Sequence, residues 1–183
     1  RDNSPSTLVF SDVGPDIRWV GNENGVAGVT NWNTLNIDGY SPGAGGPPAD
    51  TLNRGNKFGD HWVPAECDVS IRPGWFYHAK EDTLVKSAEQ LFYLYLKSVG
   101  RGANLLLNVP PNDKGLISKY DSVAVIEFAK LRETSFKKDL LPAAIASMNV
   151  IKEKPLFEFT LKKGLTLNTI VLGENLAEGQ HCS

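Results

Sequence analysis

The sequence predicts an α/β domain with parallel strands, followed by a smaller antiparallel sheet. Three observations point there. The run Asn104-Leu105-Leu106-Leu107-Asn108-Val109 is continuously apolar at its centre and stops at Pro110-Pro111, as a strand buried on both faces of a parallel sheet does. Before it, Leu84, Val85, Ala88, Leu91, Phe92, Tyr95, Leu96 and Val99 recur with the spacing of one helix face. Near the C-terminus, Phe157, Phe159 and Leu161 alternate with Glu158, Thr160 and Lys162, which is the period of a half-buried antiparallel strand.

The remaining elements follow in order. Residues 8–10, Leu-Val-Phe, read as a short buried strand broken by Ser11-Asp12-Val13-Gly14-Pro15. Residues 16–60 show little periodicity and are rich in Asn, Gly and Pro. So long a connection is a functional loop or a mobile one; residues 40–57 are expected to form a mobile tip on an ordered base. Residues 66–71 read as a second strand, ended by Arg72-Pro73-Gly74. The helix over 84–99 has Asp82 or Thr83 to cap its start and Gly100 where a left-handed residue is wanted at its end. A further helix is expected over 119–132. Residues 1–134 then make the α/β part, 135–150 a linker, and 151–183 the antiparallel part, with Lys163-Gly164 as a turn into a strand over 165–172.

Composition narrows the function. The chain has 183 residues, enough for one domain or pieces of two. Its formal net charge of −2 carries no basic footprint for nucleic acid. Hydrophobic residues at 41 % and charged residues at 22 % exclude wholesale disorder. No apolar run approaches the ~18 residues of a membrane-spanning helix. The two cysteines, Cys67 and Cys182, form no CxxC and point to neither a disulfide framework nor a zinc site. The polar N-terminus shows no signal peptide, and both ends read as though cut from something larger.

In parallel α/β barrels, reactive groups stand on loops beyond the C-terminal ends of strands. Those loops here pool carboxylates (Asp12, Asp16, Glu23, Glu66, Asp68), aromatics (Trp19, Trp32, Trp62, Trp75, Phe76, Tyr77) and two arginines, Arg18 and Arg72. Charged groups for hydroxyls and rings for apolar C–H faces suit a sugar. Each has a plainer reading. Glu23 sits in a turn-like string and would simply be solvated. Glu66 would be a partly buried carboxylate paired with Arg72. Trp75-Phe76-Tyr77 would be core. His61 and His78 lack metal-ligand spacing, residues 43–46 lack the Lys-Ser/Thr of a phosphate loop, no GxSxG elbow is present, and Cys67 reads as a structural thiol.

Three longer motifs sharpen this. Residues 10–25, Phe-Ser-Asp-Val-Gly-Pro-Asp-Ile-Arg-Trp-Val-Gly-Asn-Glu-Asn-Gly, residues 62–78, Trp-Val-Pro-Ala-Glu-Cys-Asp-Val-Ser-Ile-Arg-Pro-Gly-Trp-Phe-Tyr-His, and residues 98–112, Ser-Val-Gly-Arg-Gly-Ala-Asn-Leu-Leu-Leu-Asn-Val-Pro-Pro-Asn, stand in that order. Together they strongly resemble α-L-fucosidases of glycoside hydrolase family 29, in the branch preferring α-1,3/1,4-linked fucose. The similarity covers residues 8–133, and 170–176, with Gly179-Gln180, is similar to the start of the family's C-terminal sandwich.

The resemblance implies a partial (β/α)-barrel, TIM-like, followed by the start of an antiparallel β-sandwich. It implies a retaining glycosidase with two carboxyl groups ~5–5.5 Å apart. The family's nucleophile is an aspartate in a Trp-Phe-Asp-Gly-like motif, which this sequence lacks. Family order puts it before residue 1, so the expectation is a fragment without its nucleophile, poorly stable and inactive alone. Glu23 matches the acid/base, a task that requires a pKa raised by desolvation or by the anionic nucleophile; Glu66 is the runner-up. Trp75 matches the aromatic on the fucose methyl side, and Arg18 a hydrogen-bond donor to the sugar. Asp12, Asn22 and His61 are accessory contacts. No cofactor or metal is implied. The partner is a fucosylated oligosaccharide or glycoconjugate, with no nucleic acid and no membrane span, and the oligomeric state stays open. By analogy the location is secreted, periplasmic or lysosomal. The alternative is a catalytically silent carbohydrate-binding remnant.

Overall fold

A computed structural model describes residues 3–139, 145–151 and 154–160, together with 164, 169–171, 173, 176 and 179–180. The elements run β1 (Phe10–Ser11), β2 (Ile17–Trp19), β3 (Thr34–Leu35), α1 (Ala49–Arg54), β4 (His61–Trp62), β5 (Ala65–Ser70), α2 (Ala88–Ser98), β6 (Asn104–Asn108), α3 (Lys119–Phe136), β7 (Ile145–Ile151) and β8 (Lys154–Thr160).

Strands β1, β2, β5 and β6 form a four-stranded sheet in that order, with every pair parallel. Trp19 lies opposite Glu66, and Glu66, Asp68 and Ser70 lie opposite Asn104, Leu106 and Asn108. Opposed residues share a face and successive residues change face. One face therefore carries Trp19, Glu66, Asp68, Ser70 and Asn108. The other carries Arg18, Ala65, Cys67, Val69, Leu105 and Leu107.

That second face is the core. Val69 and Ile71 pack on Leu91 and Leu94 of α2 and Ala124 of α3, with Leu105 and Leu107 against them. Val20, Ala65, Cys67, Ala27 and Ala103 form a second cluster. The apolar run in β6 is thus covered by helices on one side, while Leu106 on the other side is 50 % exposed. This corrects the two-sided burial expected of that strand.

Helix α2 is shorter than its stripe. Leu84 belongs to a 3-10 turn over Ala79–Leu84, and the N-cap is Ser87 rather than Asp82 or Thr83. Ser87 and Gln90 form a reciprocal capping box: Ser87 Oγ accepts from the Gln90 amide at 3.3 Å, and Gln90 Oε1 accepts from the Ser87 amide at 2.9 Å. A 3-10 turn over Val99–Arg101 extends the far end, so Gly102, at φ +75°, takes the left-handed place expected of Gly100. Helix α3 starts at a Ser118 cap and runs past 132 to Phe136. Phe136 packs against Phe92 and Tyr95 of α2, with ring centroids 6.0 and 6.2 Å away.

The stretch 16–60 is more ordered than its composition suggests. It holds β2, and it holds α1, whose Leu52 packs with Leu35 and Val63. Strands β3 and β4 pair antiparallel. Strands β7 and β8 form an antiparallel pair from Ile145 opposite Thr160 to Ile151 opposite Lys154, so residues 145–150, expected in the linker, are strand. Of the strand expected over 165–172, residues 165–168 and 172 lie outside the described residues, and 169–171 carry no strand. Among the described residues, no helix is long and apolar enough to cross a membrane.

Candidate active site

The C-terminal ends of β2, β5 and β6 converge on one small constellation. Beyond β2 the chain turns sharply between two glycines. Gly21, at φ +84°, passes so close to α1 that a Cβ would meet the Ala49 carbonyl at 2.9 Å. Gly25, at φ +70°, lies over β5, where a Cβ would meet Val69 Cγ1 at 2.7 Å. Between them, Asn22 braces the turn: its Oδ1 accepts from the Asn24 amide at 3.0 Å and its Nδ2 donates to the Val26 carbonyl at 3.0 Å. Glu23 stands exposed at the tip.

Beyond β5, the turn carrying Trp75 is closed by side chains of two neighbouring strands. Ser70 Oγ donates to the Gly74 carbonyl at 2.7 Å, and Asn108 Nδ2 donates to the Trp75 carbonyl at 2.9 Å and to Ser70 Oγ at 3.0 Å. Arg72 anchors the other side of the turn. It is buried, donates to Asp121 and Asp82 and to the His78 carbonyl, and lies 4.6 Å from the Tyr77 ring centroid. Trp75 and Phe76 are 36 % and 77 % exposed, so they are surface residues rather than core. The Trp75 indole Nε1 donates to Glu23 Oε2 at 3.1 Å.

Below this pair, on the same sheet face, Trp19 Nε1 donates to Asp68 Oδ1 at 2.7 Å. Glu66 is its neighbour. Burial, then the negative charge of Asp68, push the Glu66 carboxyl above its ordinary range. A carboxylate held by the Trp75 indole at the mouth, with further carboxylates beneath, can exchange a proton with a bound sugar while the rings beside it stack on the sugar's apolar face.

Known proteins share this scaffold in part. Residues 46–130 match the family model Alpha-L-fucosidase. Over 148 residues the chain is 45 % identical to Alpha-L-fucosidase 1 of Arabidopsis thaliana, covering 81 % of this chain and 28 % of that protein. The chain is similar in sequence to the α-L-fucosidase family. A glycoside hydrolase 29 family member from an unknown rumen bacterium superposes with a TM-score of 0.72 at 42 % identity, over 79 % of this chain and 26 % of that one. A fucosidase of the same family from Ruminococcus gnavus, solved in complex with fucose, superposes with a TM-score of 0.64 at 34 % identity, over 75 % of this chain and 28 % of its own. The chain spans less than a third of the length of these relatives.

Within this scaffold the residues singled out from the sequence separate into groups. Glu23, Asn22 and Trp75 come together at the mouth. Glu66 lies deeper, and Arg72 is not its partner: that guanidinium is taken by Asp82 and Asp121. Arg18 is fully buried on the helix side of the sheet. It donates to the carbonyls of Leu52, Val63 and Trp32 and to Asn31 Oδ1, and burial draws it down to about 10. Its donors are spent on the core, so the sugar contact expected of it is not among its contacts here. Asp12 ties the 40–48 loop instead: its Oδ1 accepts from the Gly43 amide at 3.1 Å and the Val13 amide at 3.1 Å. His61 lies in the segment entering β5, away from the mouth end, and bonds Asp60 at 2.8 Å. Cys67 is buried, and burial pushes its thiol up to about 12, as befits an inert core residue.

Ser70, Asn108 and Asp68 were not marked as partners of Trp75 or Trp19 by any motif. The available signal was positional. Ser70 and Asn108 each end a strand just before a proline-containing turn, which places them level at the mouth.

Proposed function

We propose that this protein, at full family length, is a retaining exo-α-L-fucosidase that releases terminal α-1,3/1,4-linked fucose from glycans, with Glu23 as its acid/base. One observation carries the reading: the Trp75 indole holds Glu23 Oε2 at 3.1 Å at the C-terminal ends of parallel strands. The fucose complex of the Ruminococcus gnavus relative supports the sugar.

The chemistry follows from what a glycosidic bond needs. In the first step an aspartate attacks the anomeric carbon. The carbon–oxygen bond to the leaving sugar breaks, and Glu23 gives its proton to the departing oxygen. In the second step Glu23, now a carboxylate, takes a proton from water, whose oxygen displaces the aspartate and regenerates the starting anomer. The indole donor occupies one carboxyl oxygen and leaves the other free for proton transfer. The nucleophile's motif is not in this sequence, so the aspartate comes from another part of the family's barrel.

The test is Glu23→Gln in the full-length enzyme. Loss of the proton donor lowers kcat/KM by ~10²–10⁴-fold on glycans. On an aryl fucoside whose leaving group needs no protonation, the glycosylation step is largely spared. Equal losses on both substrates would overturn the assignment. Release of the β-anomer as first product would overturn retention.

A further inference from the structure

We infer that Asn108 is a positioning residue for the acid/base, acting through the Trp75 indole; this rests on the reading of Glu23 above. Asn108 is the last residue of β6 and lies in register with Ser70, the last residue of β5. Its Nδ2 spends both hydrogens on the Trp75 turn, one on the Trp75 carbonyl at 2.9 Å and one on Ser70 Oγ at 3.0 Å. Ser70 Oγ is saturated as well: it accepts from Asn108 and from the Arg72 amide at 3.3 Å and donates to the Gly74 carbonyl at 2.7 Å. Two rigid strand ends therefore fix the backbone on either side of the Gly74–Trp75 peptide.

Trp75 has two polar anchors in the described residues. It is 36 % exposed. Its ring nitrogen is committed to Glu23, and its carbonyl to Asn108. The line Asn108, Trp75 carbonyl, Trp75 indole, Glu23 is thus a continuous set of contacts from the third parallel strand of the mouth to the proposed proton donor. Releasing the carbonyl lets the indole drift. A displacement of about 1 Å at a reacting group can cost about 100-fold in rate.

The expected signature differs from that of a residue that only stabilises the fold. In the full-length enzyme, Asn108→Ala lowers kcat about 10- to 100-fold on a glycan substrate, with KM changed little. On an activated aryl fucoside the loss is only a few-fold. In a Trp75→Phe background, adding Asn108→Ala costs less than a further twofold, because the element it acts through is gone. In the full-length enzyme, the Trp75 indole N–H resonance moves in Asn108→Ala by an amount comparable to its movement in Glu23→Gln. Should Asn108→Ala not accumulate as folded protein, Asn108→Ser, whose hydroxyl is too short to reach the Trp75 carbonyl, carries the same expectations.

A loss equal on both substrates, or one that multiplies in full with Trp75→Phe, overturns the inference. So does an indole resonance that stays in place. A Glu23→Gln enzyme without leaving-group dependence would instead overturn the acid/base reading, and the indole resonance would still decide whether Asn108 sets the Trp75–Glu23 contact.

Discussion

Arg72 and Asp121 form a fully buried ion pair that ties the Trp75 turn to the first turn of α3. The guanidinium Nε donates to Asp121 Oδ1 at 3.0 Å and a terminal nitrogen to Oδ2 at 2.6 Å, and neither side chain is exposed. The second terminal contact, to Asp82 at 2.7 Å, holds the 3-10 turn over Ala79–Leu84. A paired buried charge is tolerated, whereas a deserted one is expensive. Asp121→Ala is expected to destabilise the fold by about 3 kcal/mol, the lower end of the range for broken buried pairs, because Asp82 remains. Urea unfolding at neutral pH measures it, and a loss below ~1 kcal/mol would contradict the anchoring role.

Arg18 makes a sharper distinction between scaffold and site. Four acceptors in the core depend on its fork. Arg18→Lys keeps the charge but cannot span them, and each orphaned acceptor costs about 1–3 kcal/mol. For the full-length enzyme proposed above, a destabilised protein with unchanged KM is expected. A raised KM at unchanged stability would instead mark a sugar contact.

Gly25 sets where Glu23 stands. At φ +70°, with Val69 Cγ1 2.7 Å from any added Cβ, Gly25→Ala meets both backbone strain of about 1–2 kcal/mol and a steric clash. The variant is expected to lose stability and to shift the Trp75 indole N–H resonance. Adding Val69→Ala removes the Cγ1 contact but leaves the Val69 Cβ at 2.9 Å and the strain in place, so recovery of the resonance is partial at most. Wild-type stability in Gly25→Ala alone would refute the close packing.

Glu66 predicts a pH dependence. Its carboxyl titrates above the ordinary value of 4.5 in the folded chain, so the folded state binds its proton more readily than the unfolded one. By linkage, this group weakens the fold above its raised value. The penalty is relieved as pH falls toward 4.5. Glu66→Gln is therefore expected to raise stability near pH 7 and to flatten the stability profile between there and pH 4.5. Denaturant midpoints across that window test it, and an unchanged profile would count against the burial and the Asp68 repulsion as causes.

The parts of this fold with clear hydrophobic patterns are legible in the sequence: β6, the centre of α2 and β8 lie where their apolar patterning puts them. The parts that were not legible are too short to have a period. Strand β2 has three residues and α1 has six, and each is held by contacts with distant residues, as Arg18 is with Leu52 and Leu52 with Val63. The ends of α2 fall short of its stripe because Leu84 and Val99 continue the stripe while Ser87 and Gly102 terminate the structure around it. At the site, the loop carrying Glu23 and the turn carrying Trp75 are both written in motifs, but their contact joins residues 52 positions apart. Nothing local encodes that distance. Arg18 illustrates the reverse error: its neighbourhood in the chain is that of Glu23, yet strand alternation sends its side chain to the opposite face.

That alternation has an evolutionary corollary. In β5, Glu66 and Asp68 face one way and Ala65, Cys67 and Val69 the other. Deleting a single codon inside Ala65–Ser70 would exchange the two sets, driving carboxylates under α2 and stranding Cys67 outside. Such a lesion has no graded intermediate. Indels in descendants of this gene should therefore accumulate in the glycine-rich excursion over 36–48, while the strand drifts by point substitution at constant length.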